Sequence, residues 1–170
     1  MARVSPIPKG MHTLTPNLVV RDCASAIAFY ERALGAKEVS RMMAPDGKSV
    51  WHAELRIGDS TIFMNDEMPG AGQRAPTVDA PVPVSMWLYV PDADAAFEQA
   101  IAAGAKETMK PSDMFWGDRC AAVADPYGYL WSFATRRKEL TREEMRRAGE
   151  EFARSMQQRT TAREERPPQR

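Results

Sequence analysis

Apolar and polar positions run through the same order twice along the chain. Residues 14–20 form an apolar stretch of strand length that ends at Val20-Arg21-Asp22. Ala26, Ile27, Tyr30, Ala33 and Leu34 then recur at helical spacing. Residues 84–90 form the second stretch, followed by Asp92 and by Ala93, Ala96, Phe97, Ala100 and Ile101 at the same spacing. Asp22 and Asp92 carry the short carboxylate that accepts from free N–H groups at a helix start, and Gly35 and Gly104 supply the left-handed stop. Three strands follow each helix. In the first copy they span 38–43, 50–57 and 60–65, with turns at Asp46-Gly47 and Gly58-Asp59. In the second they span 107–109, then after a long loop 119–124, and after Asp125-Pro126-Tyr127-Gly128 a last strand over 129–134.

The pattern is βαβββ, twice. Asp22 and Asp92 lie 70 residues apart, and the runs Gly35-Ala36-Lys37-Glu38 and Gly104-Ala105-Lys106-Glu107 lie 69 apart. A tandem match at one offset indicates duplication, and two copies indicate paired halves of one domain. The expected class is α+β: module one over 11–66, a Pro- and Gly-rich flexible linker over 67–83, and module two over 84–135. Beyond residue 138 the pattern changes. Thr141 and Glu144 make a capping box, and Met145, Gly149, Phe152 and Met156 stripe a charge-dense helix expected over 139–158. Residues 159–170 read as a disordered tail.

Composition narrows the function. The formal charge of zero conceals a division: residues 1–135 hold 12 basic and 16 acidic side chains, and residues 136–170 hold 11 and 7. An acidic body without a basic stripe argues against nucleic-acid binding. No apolar run approaches the ~18 residues of a membrane span, and the first ten residues lack a signal-peptide core. Cys23 and Cys120 are isolated thiols with no disulfide framework, which fits a soluble, cytoplasmic protein. With only two histidines, acid–base or metal chemistry rests mainly on carboxylates.

The Val-Arg-Asp…Ala-Ile-Ala-Phe-Tyr…Leu-Gly-Ala helix of copy one and Asp125-Pro126-Tyr127-Gly128…Trp131 of copy two resemble the vicinal oxygen chelate superfamily. That superfamily takes in glyoxalase I, extradiol dioxygenases and the fosfomycin- and bleomycin-resistance proteins. Within it, Asp113-Met114-Phe115-Trp116-Gly117-Asp118-Arg119 is similar to the PhnB-like branch. The resemblance spans about residues 11–135 and implies a cup-shaped mixed sheet, the glyoxalase/bleomycin-resistance fold, commonly paired as a homodimer. In metal-bearing members four His, Gln or Glu ligands come from the first and last strand of each module. Carried over by strand, those positions are Thr15, Ile62 (or Phe63 one residue on), Ser85 and Ser132. None is a histidine or carboxylate, so the resemblance implies no metal and no cofactor here, and argues against glyoxalase-type activity.

Other residues are better candidates. His52, Glu54 and Arg56 alternate with Ala53, Leu55 and Ile57, so the polar set shares the cup face. His52 and Glu54 form an acid–base or ligand pair, or else Glu54 is taken up by Arg56 as part of a polar sheet face. His12 precedes the first strand as a bystander. With Ser85 facing the cup, Trp87 and Tyr89 face it too. Phe115 and Trp116 sit in a loop whose local pattern does not require large aromatics. These four either wall a site for a planar organic ligand or plug a domain or dimer interface. Arg119, with His52 and Glu54, is expected to orient polar groups of that ligand, and Cys120 is either a reactive or a buried, inert thiol. The expectation is therefore a metal-independent small-molecule-binding protein, homodimeric, with no nucleic-acid or membrane partner. The alternatives are a divergent metal-dependent lyase, isomerase or dioxygenase-like enzyme, a metal-free acid–base enzyme, or a scaffold working through the C-terminal helix.

Overall fold

The computed structural model describes residues 4–164 apart from 69 and 71. Module one comprises β1 (Asn17–Val20), α1 (Cys23–Leu34), β2 (Lys37–Met43), β3 (Val50–Ile57) and β4 (Ser60–Asp66). Module two comprises β5 (Ser85–Tyr89), α2 (Ala93–Ala103), β6 (Lys106–Asp113), β7 (Asp118–Ala124) and β8 (Leu130–Arg136), and α3 (Arg142–Glu164) follows. Each module folds into a four-stranded mixed sheet, ordered β1-β4-β3-β2 and β5-β8-β7-β6. In each, the first and last strands pair in parallel and the rest antiparallel. This is the duplicated βαβββ architecture expected from the chain.

Register divides each sheet into two faces. Ala53 and Leu55 lie opposite Met64 and Ile62, and all four are buried beneath the helices. Glu54 lies opposite Phe63, and Phe63 is level with Asn17, which places these on the open face with His52. In module two Met86 and Leu88 share the helix face with Trp131 and Phe133, while Ser85, Trp87 and Tyr89 share the open face with Leu130, Ser132 and Ala134. The caps behave as their residues dictate. The Ser25 N–H donates to Asp22 (3.1 Å), and the Asp94 and Ala95 N–H groups donate to Asp92.

The modules are joined by packing of α1 on α2 and by a buried carboxylate. Asp125, 2% exposed, accepts from the Tyr30 hydroxyl (2.7 Å) and Trp131 Nε1 (2.8 Å) on one oxygen. Its other oxygen accepts from the backbone N–H groups of Tyr127 (2.8 Å) and Tyr129 (2.9 Å). The Tyr129 hydroxyl then donates to the Val19 carbonyl of module one (2.9 Å). A buried carboxylate persists only when its lone pairs are filled, and four donors fill them. Burial, and then the Asp125 charge, push the Tyr30 phenol well above its ordinary range.

Several boundaries differ from the sequence reading. The first strand is shorter, starting at Asn17. The expected long loop after residue 109 is instead strand, since β6 runs to Asp113 through Pro111. Proline is tolerated there because β6 is an edge strand with an irregular register between Met109 and Ser112. Where a flexible linker was expected, the described residues are tied down at Ala75 and Val82. Ala75 is buried and its N–H donates to Glu67, and the Val82 N–H donates to the Gly128 carbonyl. Gly128 is at φ +89, and a Cβ there would lie 2.7 Å from the Thr77 carbonyl oxygen, so linker and turn leave room only for glycine. Helix α3 continues to Glu164, past the end at 158 that its composition suggests; the remainder of the expected tail, 165–170, lies outside the described residues. Its capping box forms as expected, with Thr141 and Glu144 exchanging backbone-to-side-chain bonds of 2.7 and 3.2 Å.

Candidate functional site

On the open face of module two, side-chain alternation along β5 presents Trp87 and Tyr89, their ring centroids 6.4 Å apart. They are 45% and 68% exposed, a high value for large aromatics on a sheet face. Asp118, at the start of β7, fixes the arrangement: its Oδ2 accepts from the Tyr89 hydroxyl (3.2 Å) and from Trp116 Nε1 (3.1 Å). One buried carboxylate thus ties the β5 aromatic to the β6–β7 turn, and its charge pushes the Tyr89 phenol upward. Asp118 had no place in the expected site. Its signal was present in the sequence, since a carboxylate two residues from Trp116 is within reach of an indole N–H.

Phe115 belongs to a different contact. It meets Trp116 edge-on (5.0 Å) but stacks on Phe152 of α3 (5.2 Å) and lies 3.6 Å from where a Gly149 Cβ would be. The helix stripe therefore docks on its own β6–β7 turn. Arg119 is on the face opposite to the one expected, because it immediately follows Asp118 in an alternating strand. Its guanidinium forks onto Asp94 of α2 (2.7 and 2.8 Å) and reaches Asp113 (3.4 Å). Cys120 is buried, and burial followed by the Asp118 charge pushes its thiol up, which suppresses the reactive thiolate.

Module one presents a smaller polar group. His52 Nε2 is 3.6 Å from Glu54 Oε1, so the carboxylate's near neighbour is His52 and not Arg56. The imidazole packs edge-on against Phe63 (4.8 Å), and Asn17 donates to Asn65 (3.0 Å) nearby on the same face. Among the described residues, no hydrogen bond, ion pair or ring contact joins this group to the aromatic group of module two.

The four positions that would supply metal ligands carry the wrong chemistry for a divalent ion. Ile62 faces the helices, so the open-face residue of β4 is Phe63. Ser85 and Ser132 hydrogen-bond each other at 2.8 Å, and Thr15 adds only a further hydroxyl. Hydroxyls and a phenyl ring do not hold zinc, manganese or iron. Among the described residues no three His, Cys, Asp or Glu side chains converge.

A family model described as the Glyoxalase/Bleomycin resistance protein/Dioxygenase superfamily matches residues 11–133. The chain belongs to this superfamily. The match takes in both modules and stops short of α3. A superfamily relative, the Mycobacterium tuberculosis protein Rv0887c, is 43% identical over 138 residues, covering 79% of this chain and 81% of the relative. Among solved structures, the Arabidopsis thaliana AT5G48480 product aligns with a TM-score of 0.61 at 26% identity, over 73% of this chain and 98% of that one. A PhnB protein from Bacillus cereus shares the superfamily fold with a TM-score of 0.55 at 14% identity, over 73% of this chain and 99% of its own. No helix among the described residues is long and apolar enough to cross a membrane.

Proposed function

We propose that this superfamily member binds a small planar organic molecule without a metal, holding it against the open face of module two. The observation that carries the reading is the pair of exposed aromatics, Trp87 and Tyr89, held with Trp116 around the shared Asp118 carboxylate. Flat apolar surface with a few fixed polar atoms is what a small-molecule site requires. His52 and Glu54 supply polar partners from module one, and Phe115 braces the Trp116 ring through an edge contact. Arg119 acts at one remove, bracing α2 against β7 through Asp94.

A second copy of the chain closes the cup. Both open faces leave large side chains in solvent, Met42 at 55% in module one and Tyr89 at 68% in module two. A homodimer covers them. Light scattering at micromolar concentration returns twice the chain mass if this is so, and a monomer at every concentration refutes it.

The site is tested by titrating intrinsic tryptophan fluorescence with a panel of planar aromatic compounds. Saturable quenching is expected for at least one class. Trp87→Ala and Trp116→Ala weaken it by tenfold or more. Unchanged titrations in both variants refute the assignment. The 3.6 Å His52–Glu54 contact favours a second reading, a metal-free acid–base enzyme. Once a substrate is found, full turnover by Glu54→Gln removes that reading.

A further inference from the structure

The groups around Asp118 share one sign of charge, and none of the protein's own cations answers it. Asp118 Oδ2 accepts from Tyr89 and Trp116, but Oδ1 has no hydrogen-bond partner among the described residues. That oxygen is not among the fully covered, unpartnered polar atoms, so it keeps an opening to solvent. Arg136 lies level with Asp118 on β8, yet its guanidinium is turned to Glu139 at 3.3 Å. Arg119 is held on the opposite face by Asp94 and Asp113. Arg137 and Lys138 border a neighbouring cavity with Asp118 and make no ion pair with it. Among the described residues, no Lys, Arg or His lies within ion-pair distance of this carboxylate.

The rings beside it add to the same field, because the face of an aromatic ring is its negative side. Trp87 and Tyr89 are tilted by 58°, so they do not stack on each other and their faces stay available. A neutral donor would satisfy Oδ1 but leave the charge uncompensated. A cation answers both the carboxylate and the ring faces, and indole is the strongest of those faces. The surrounding body is acidic as well, with 16 acidic against 12 basic side chains over residues 1–135, which draws cations toward it.

We propose that the molecule bound here is an organic monocation, a planar aromatic carrying one quaternary or protonated nitrogen. This rests on the binding reading above and adds the ligand's charge to it. The ring lies on Trp87 and Tyr89, with the positive nitrogen facing Asp118 Oδ1. Asp118 then acts twice: Oδ2 fixes the aromatics, and the charge of the carboxylate selects the ligand.

The test is calorimetric titration of the full-length protein with three probes of similar shape. They are 1-methylquinolinium, quinoline (uncharged at neutral pH) and the anion 2-naphthoate. Wild type binds 1-methylquinolinium saturably, at least about tenfold more tightly than quinoline, and 2-naphthoate more weakly still. Asp118→Asn keeps an oxygen for Tyr89 and Trp116 while removing the charge. It weakens 1-methylquinolinium at least about tenfold and leaves quinoline within about twofold. Should that variant fail to fold, the wild-type ranking of the three probes decides. A cation bound no more tightly than quinoline, or bound with wild-type affinity by folded Asp118→Asn, overturns the charge assignment. Saturable quinoline binding in that case leaves the aromatic site standing. Saturable binding by none of the three also overturns the charge assignment, and the wider panel above then decides the aromatic site on its own.

Discussion

Tyr30→Phe removes one atom from the clasp that joins the modules and leaves everything else in place. The ring keeps its edge contact with Trp131 at 5.3 Å and its neighbours Phe29 and Tyr127, so no cavity opens. What is lost is one of four hydrogen bonds to the buried Asp125 carboxylate. Bonds to a carboxylate contribute about 1.5–3 kcal/mol, and the remaining three donors still fill its other lone pairs, so a loss of about 2 kcal/mol is expected. Tyr129→Phe is the internal comparison. It removes a neutral bond to the Val19 carbonyl, and about 1 kcal/mol is expected. Urea unfolding of both variants, with the slope m held to the wild-type value, measures the two losses. A domain of this size holds roughly 5–15 kcal/mol, so both variants remain folded. A Tyr30→Phe loss below about 0.5 kcal/mol, or one smaller than that of Tyr129→Phe, refutes the assignment of Asp125 as the charged centre of the seam.

Three further outcomes follow from the structure. Burial, then the Asp66 carboxylate, push the Cys23 thiol up to about 12, whereas an unfolded thiol titrates near about 8.5. The unfolded chain therefore releases this proton first, and stability is full below the unfolded value and falls as pH rises toward 12. The slope from this group is at most about 1.4 kcal/mol per pH unit, and Cys23→Ala flattens urea midpoints measured between pH 8 and 10. Gly128→Ala places a Cβ 2.7 Å from the Thr77 carbonyl at a positive φ, and a loss above about 1 kcal/mol with release of the linker to proteolysis is expected. Truncation after Arg137 removes α3, which packs Phe152 and Gly149 on Phe115 and lies outside both sheets; the melting temperature shifts by only a few degrees, and a collapsed fold contradicts this.

Much of the fold was legible because each module writes its own local signals. The caps at Asp22 and Asp92, the glycine stops and the alternation through His52–Ile57 are short-range, and all formed as read. The second half of β6, past Met109, escaped because Pro111 reads as a breaker unless the strand is known to be an edge. The site was half legible. Alternation put Trp87 and Tyr89 on one face, but Arg119 was brought to the site with no register to place it, and Asp118 was left out. Phe115 had no local pattern to assign it, since its partner Phe152 lies on α3, beyond the duplicated body. The Asp125 clasp spans 95 residues to Tyr30, and such a pairing is set by how the modules meet. The charge division acquires a position, too: the basic segment begins at the end of β8 and forms the appended helix, outside the superfamily match.

Native mass spectrometry of the protein from its own host tests the central claim most directly, with wild type beside Trp87→Ala and Trp116→Ala. The account predicts a dimer of wild-type chains carrying an organic adduct of small-molecule mass, no stoichiometric metal, and loss of the adduct in both variants. A stoichiometric zinc, manganese, nickel or iron, or an adduct retained equally by both variants, contradicts it.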